Sequence, residues 1–299
     1  MLESSLAKDL NRAFPTLPLT ENEPMKAHCS FRIGGPAEVF VEPGSEAELC
    51  AVWRYLRAVG APVTVIGNGT NLLVRDEGVR GVVVHLGDRF AAIERTDSGL
   101  RAAAGVTLAR LATAAKEQGL SGMEFAHGIP GSLGGAVIMN AGAYGGEIKD
   151  VVVSVRYLDG DGALRETDAP GFSYRRSRFT DSGELILGAA VCLTPDDPAA
   201  IHARMMDLWA RRSASQPLDR PSAGSTFKRP AAGYAAAMIE AAGLKGASVG
   251  GAQVSEKHAG FVINTGGATF ADVTALMARI RETVYAETGI LLEPEVKII

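Results

Sequence analysis

The sequence predicts a mixed fold, α/β or α+β, and three observations carry that prediction. Stretches with helical apolar periodicity alternate along the chain with short β-rich runs. No internal repeat, heptad array or low-complexity segment interrupts the alternation. Finally, 46% of the 299 residues are apolar and the net charge is −4, an ordinary globular balance with room for about two domains of roughly 150 residues.

The first clear helix begins at Ser45, where Ser45 and Glu48 form a capping box and Leu49, Val52, Trp53 and Leu56 line one face. Gly60 and Pro62 end it. β-rich pieces follow at 62–66, 72–74 and 82–86, and a second helix spans 107–118, closed by Gly119. The uncharged run 128–146 is long enough to cross a bilayer, but it holds seven glycines and a proline. At about 1 kcal/mol per interior glycine it makes no spanning helix, and a buried loop system is expected.

Strands are expected at 151–158 and 184–193, then a helix over 198–212. A domain junction is placed near residue 200, ahead of the polar, Pro-punctuated stretch 216–229. The last region reads as helices near 234–242 and 272–288, a strand at 261–264 and a final strand over 290–299. In that strand Glu293, Glu295 and Lys297 share one face, and Leu292, Val296 and Ile298 the other. Pro294 marks an edge or a bulge.

Charge and cysteine usage exclude several functions. With 30 basic against 34 acidic residues there is no surplus of cations for nucleic acid. Cys29, Cys50 and Cys192 form neither a CxxC site nor a disulfide framework, so a reducing compartment is expected. Glu3 near the start, with no apolar run after it, argues against a signal peptide and for the cytoplasm. The five histidines lack metal-ligand spacing, and no metal is expected.

Two glycine segments stand out in a chain that is about 12% glycine. The first, starting at Ile66, has Gly67 and Gly69, but Leu72 replaces the third glycine of a dinucleotide fingerprint and a strand follows where a helix is needed. A hairpin turn at Asn68 and Gly69 stays open beside a ligand loop. The second, 128–143, alternates glycine with small residues, which suits a backbone nest for a diphosphate. Read alone, Arg175 and Arg176 are surface cations and Ser225 is a turn or cap residue.

Taken in order, CSFRIGGPA, VIGNGTNLLV, the second glycine segment, YLDGDG, FSYRRSRF, PSAGSTFKRP, EAAGLKG, GGAQVSEKHAGFVIN and EPEVK resemble the UDP-N-acetylenolpyruvoylglucosamine reductases of peptidoglycan precursor synthesis. The likeness covers nearly the whole chain, from Cys29 to the C-terminus. It implies an α+β fold of the vanillyl-alcohol-oxidase (PCMH) type, with FAD-binding subdomains at 1–80 and 81–200 and an α+β substrate-binding domain at 201–299.

FAD would lie against Ile66, Gly67, Asn68, Gly69, Thr70, Asn71 and Leu72, and against Gly128, Ile129, Pro130, Gly131, Ser132, Gly134, Gly135, Asn140, Ala141 and Gly142. The first loop contains no histidine to form a link, so noncovalent FAD is expected. NADPH would reduce the flavin, and the enolpyruvyl ether of a UDP-sugar would then accept hydride at C3 and a proton at C2. By motif, Arg175 and Glu295 would polarise and orient the substrate carboxylate and Ser225 would protonate C2, while Tyr144, Lys228, Gln253 and Lys297 would contact substrate.

Between Arg175 and Ser225 there is no tyrosine-bearing loop, which resembles the loopless subgroup. Ser215 stands where many members carry lysine, so neutralising the diphosphate would pass to Lys228 or Arg229. No nucleic acid, membrane insertion or protein partner is implied.

Overall fold

The computed structural model describes residues 3–299. It divides into two compact units, one of Met1–Glu21, Val39–Asn68 and Gly81–Arg212, the other of Asn22–Glu38, Gly69–Arg80 and Ser213–Ile299.

Two sheets line the larger unit's core. The first runs in the order β1 (Leu19–Pro24), β2 (Pro36–Val41), β5 (Val79–His85), β3 (Val63–Ile66). β3 and β5 are parallel, with Val63 opposite Val82 and Ile66 opposite His85. A parallel pair cannot be closed by a tight turn, so the hairpin left open at Asn68 and Gly69 does not form. The chain instead leaves β3 through the glycine segment, passes β4 (Leu72–Leu73) and returns as β5.

The second sheet is antiparallel, in the order β12 (Leu164–Thr167), β11 (Val152–Leu158), β13 (Leu185–Cys192), β7 (Gly99–Ala103), β6 (Ile93–Thr96). A short pair, β8 (Leu120–Ser121) with β14 (Thr194–Pro195), extends its rim.

Helices cover these sheets. In α2 (Glu46–Ala58) the Ser45 hydroxyl accepts from Glu48 N–H at 3.2 Å, and the predicted face is buried. Each such leucine contributes about 1.5–3 kcal/mol. α3 (Leu108–Glu117) is capped by Thr107 and stops at Gly119, whose φ is +64°. α1 (Glu3–Ala13) was not expected; with no signal for a cap, its short stripe of Ala7 and Leu10 gains its stability from the core.

The second glycine segment is not all loop. Its middle forms α4 (Leu133–Ile138), with Leu133, Gly134, Ala136 and Val137 buried, and its end forms a hairpin of β9 (Gly142–Ala143) and β10 (Gly146–Glu147). Burial of Leu133, Gly134, Ala136 and Val137 outweighs the poor helix propensity of Gly134 and Gly135.

The sequence boundary at 200/201 falls inside α5 (Pro198–Ser215), and that at 80/81 inside β5. Ile201 and Met205 belong to the larger unit's core, so α5 ends that unit at Arg212.

The smaller unit has a sheet in the order β15 (Ser222–Ser225), β18 (Phe261–Asn264), β17 (Ala252–Val254), β16 (Ser248–Val249). α6 (Ala235–Ala241) and α7 (Phe270–Thr288) pack together, and α7 also covers β16 and β17. A Thr269–Asp272 capping box starts α7, and left-handed Gly289 ends it. The expected ten-residue final strand shrinks to β19 (Lys297–Ile298), which is parallel to β4. A bend at Val296 breaks the alternation: Leu292 and Val296 are buried, while Ile298 is exposed.

Candidate active site

Within the larger unit the two glycine segments meet. A Cβ on Gly67 would overlap the buried Ser132 hydroxyl, and one on Gly134 would sit 3.0 Å from Ala104 Cβ. A Cβ on Gly128 would likewise meet Arg212 and Trp209 of α5, at 3.1 and 3.4 Å. A side chain at Gly67 would need Ser132 to move, whereas at Gly134 and Gly128 the neighbours would have to give by only a few tenths of an ångström.

Gly135 is different. Its φ is not positive, and the nearest atom to an added Cβ is Ser132 Oγ at 3.8 Å. Leu133 and Gly134 donate to Val106 and Ala104 carbonyls at 2.8 and 2.9 Å, whereas the Gly135 N–H has no acceptor among the described residues. An uncovered backbone donor beside open room is the arrangement an anionic group such as a diphosphate requires. The segment thus fits the cofactor that the resemblance implies. Nearby His127 is held below its ordinary pKa by burial, then by Lys116 and His202, and stays neutral at pH 7.

Tyr144 and Gly145 form the two-residue β9–β10 turn, with φ of +54° and +88°. The Tyr144 ring lies 5.1 Å from the Arg211 guanidinium of α5. Arg211 is a cation beside a predicted substrate residue that the motifs did not single out; only its place on the last turns of α5 could have signalled it.

Arg175 occupies the tip of a second tight turn. Ser173 and Arg176 exchange backbone hydrogen bonds of 2.9 and 3.2 Å, and Arg175 itself has φ +56°, an unfavourable region for a residue with a Cβ. Its guanidinium lies 5.2 Å from the Tyr174 ring. Lys149, hydrogen-bonded to Glu147, and then Asn140 and the field of Arg175 hold the Glu147 carboxyl below its usual range, despite partial desolvation.

In the smaller unit, the other half of the first glycine segment supports the C-terminus. Gly69 O accepts from Ser30 N–H at 3.2 Å, and a Cβ there would strike the His28 carbonyl. Asn71 donates its side-chain amide to Glu295 O at 3.1 Å, its own carbonyl accepts from Lys297 N–H at 2.9 Å, and Leu72 pairs with Lys297. Asn71 and Leu72, assigned to the cofactor by motif, thereby set the position of Glu295 and Lys297.

Ser225 ends β15 beyond a bulge at Gly224, whose φ is +75°. Its hydroxyl has no hydrogen-bond partner among the described residues. The next residue, Thr226, accepts from Glu295 N–H at 2.9 Å, and Lys228 N–H donates to Glu293 O at 2.8 Å, so the segments carrying Ser225 and Glu295 run side by side.

Of the predicted substrate contacts here, Lys228 is ion-paired with Glu293, and Gln253 on β17 donates to Gly246 O at 3.3 Å. Arg229 stacks 4.0 Å from the Tyr234 ring. No cluster of metal-ligating side chains occurs among the described residues, and no helix there is long and apolar enough to cross a membrane.

Comparison with known proteins matches the two halves of this description. A family model described as FAD binding domain covers residues 37–168, and one described as UDP-N-acetylenolpyruvoylglucosamine reductase, C-terminal domain, covers 216–299. The UDP-N-acetylenolpyruvoylglucosamine reductase of Agathobacter rectalis is 47% identical over 312 aligned residues, covering 100% of this chain and 99% of its own. That of Caldanaerobacter subterraneus subsp. tengcongensis is 50% identical over 281 residues, 93% and 92% of the two chains. The crystal structure of UDP-N-acetylenolpyruvylglucosamine reductase from Thermus caldophilus has a TM-score of 0.80 at 34% identity, over 94% of this chain and 98% of that one. An alkyldihydroxyacetonephosphate synthase, at 17% identity and a TM-score of 0.50 over 64% of this chain and 40% of its own, shares the fold alone.

Proposed function

Because the chain belongs to the UDP-N-acetylenolpyruvoylglucosamine reductase family, we propose a division of that family's reaction among its own side chains. The chain is an FAD-dependent oxidoreductase of peptidoglycan precursor synthesis. With NADPH as reductant it converts the enolpyruvyl ether of UDP-N-acetylglucosamine enolpyruvate to UDP-N-acetylmuramate. Its fold is α+β, an FAD-binding domain of the vanillyl-alcohol-oxidase type joined to a C-terminal domain. We place it in the cytoplasm, with FAD held noncovalently.

When bound, FAD supplies the hydride, drawn from NADPH, that reduces the alkene. Gly67, Ser132 and Gly135 would hold its diphosphate. Hydride addition at C3 drives electron density through C2 into the substrate carboxylate, and groups that meet that charge act more strongly on the transition state than on the ground state. Arg175 is assigned to that carboxylate because its guanidinium fork bridges two oxygens. Glu295 orients the same group. Ser225 Oγ delivers the proton to C2; a serine hydroxyl is protonated at neutral pH and needs only placement.

The observation that carries this reading is the unpartnered Ser225 hydroxyl at the end of a bulged strand whose next residue fixes Glu295. Arg211, whose guanidinium lies 5.1 Å from the Tyr144 ring, joins Lys228 and Arg229 as a candidate cation for the diphosphate. The test is anaerobic: NADPH should bleach the purified yellow protein, and the UDP-sugar should restore its colour with formation of one reduced sugar per flavin. Bleaching without recovery on that addition would refute the assignment of substrate.

A further inference from the structure

We propose that Asn140 is a positioning residue for Arg175: its buried side chain fastens the turn that presents Arg175 to the end of α4, and it does not contact the cofactor. This rests on the reading of Arg175 given above.

Asn140 is 1% exposed and has φ +41°, a conformation that asparagine tolerates better than most residues. Its Nδ2 donates to Glu147 Oε2 at 2.9 Å and to Ser173 O at 3.1 Å, and its Oδ1 accepts from Lys149 N–H at 3.0 Å. Two acceptors face one end of the amide and a donor faces the other, so only one orientation of the group satisfies all three. Both N–H bonds are then in use, and none remains for a ligand. A side chain assigned to FAD by its place in the glycine segment is engaged inside the protein.

One of those bonds ends on the Arg175 turn. Ser173, whose carbonyl Asn140 holds, pairs with Arg176, and Tyr174 and Arg175 form the tip between them. Two more bonds fasten the same segment to the same helix end: Ser177 Oγ and Thr180 Oγ1 both donate to Ile138 O, at 3.0 and 3.1 Å. At its other end α4 carries Ser132, Gly134 and Gly135, the glycine cradle. A helix of six residues, about 9 Å long, thus joins the cofactor cradle to the arginine. With Arg175 in a backbone conformation that its own residue type disfavours, external bonds help to hold the tip, and Asn140 provides one of them through Ser173 O.

Asn140→Asp tests this. It preserves size, tolerance of positive φ and the acceptor for Lys149 N–H, but sets a carboxylate oxygen against Glu147 and the Ser173 carbonyl. FAD content and the rate of reduction by NADPH should stay within about twofold of wild type, because the cradle at the far end of α4 is untouched. Reoxidation by the UDP-sugar should fall on the order of 10²-fold at pH 8, the effect of a misplaced charge near the reacting centre, and should partly recover at lower pH as the new carboxyl gains a proton to donate. Amide exchange over 172–180 should accelerate while that over 128–137 is unchanged.

Loss of flavin in step with activity, equal slowing of both half-reactions, or unchanged exchange over 172–180 would overturn the proposal. Arg175→Lys, measured alongside, separates the two claims. Near-full turnover in that variant removes the reading of Arg175 and this proposal with it. A slow Arg175→Lys beside an unaffected Asn140→Asp removes the proposal alone. Should Asn140→Asp fail to accumulate folded, Ser177→Ala combined with Thr180→Ala loosens the same turn from Ile138; the same split between half-reactions is expected, and its absence is decisive against the proposal.

Discussion

The turn that carries Arg175 and the strand end that carries Ser225 differ in what holds them in place. Side chains fasten the first to its surroundings: Asn140, Ser177 and Thr180 tie a strained two-residue tip, closed by the Ser173–Arg176 backbone bonds, to α4. Backbone holds the second, through the pairing of β15 with β18 and the bond from Glu295 N–H to Thr226 O. A position fixed by side chains can be lost through one substitution nearby. One fixed by main-chain bonds survives most changes around it and fails only when its own reacting group is removed.

The largest effect should therefore come from Ser225 itself. Ser225→Ala should lower turnover by about 10² to 10⁴, the range for a positioned general acid, and Ser225→Cys should regain part of it because a thiol also donates. Steady-state assays with both variants check this; equal activity in the two would show that donation at this position is not the requirement. For Arg175→Lys a loss of about 10²-fold is expected, since an ammonium cannot reproduce the two-pronged contact and lacks the guanidinium's hold on the Tyr174 ring. Flavin content should be unchanged in that variant.

Thr226→Val sharpens the contrast. It deletes the hydroxyl that accepts from buried Val262 N–H at 3.0 Å but leaves the backbone bond to Glu295. Stability should drop by about 1–3 kcal/mol, as for an orphaned buried donor, with turnover within roughly tenfold of wild type. A turnover loss matching that of Ser225→Ala would mean that the strand end is held by side chains after all.

The smallest effect concerns the larger unit's acid stability. Burial alone would raise the Glu124 carboxyl, but hydrogen bonds from Arg204, the Gly122 N–H and Ser121 outweigh it and hold the group below its ordinary 4.5. A carboxyl depressed in the folded state stabilises above its unfolded value, and that contribution is lost as pH falls through the folded one. Arg204→Met should thus lower the melting temperature modestly at neutral pH, and the gap from wild type should close below about pH 4. A gap constant from pH 7 to pH 3 would contradict the pairing.

What was legible in the sequence follows the same division. Local signals made α2 and α3 readable, Ser45 as the N-cap of the first and Gly119 as the stop of the second. β15 was invisible, because Ser-Ala-Gly-Ser has no strand pattern and becomes a strand only by pairing with β18. The parallel partner of β3 lies across twelve intervening residues, so the glycine segment between them resembled a hairpin. The motifs located Arg175, Ser225 and Glu295 but were silent on their supports. That Asn71 would bind Glu295 O, and Asn140 Ser173 O, depends on contacts 224 and 33 residues apart in sequence.

The role of Ser225 is tested most directly by separating the two half-reactions in Ser225→Ala. Stopped-flow absorbance should show this variant reduced by NADPH at close to the wild-type rate, since no proton moves to carbon in that step, and then reoxidised by the UDP-sugar about 10² to 10⁴ times more slowly. If reduction by NADPH were slowed as much as reoxidation, Ser225 would be a structural residue, and the proton would have to come from elsewhere.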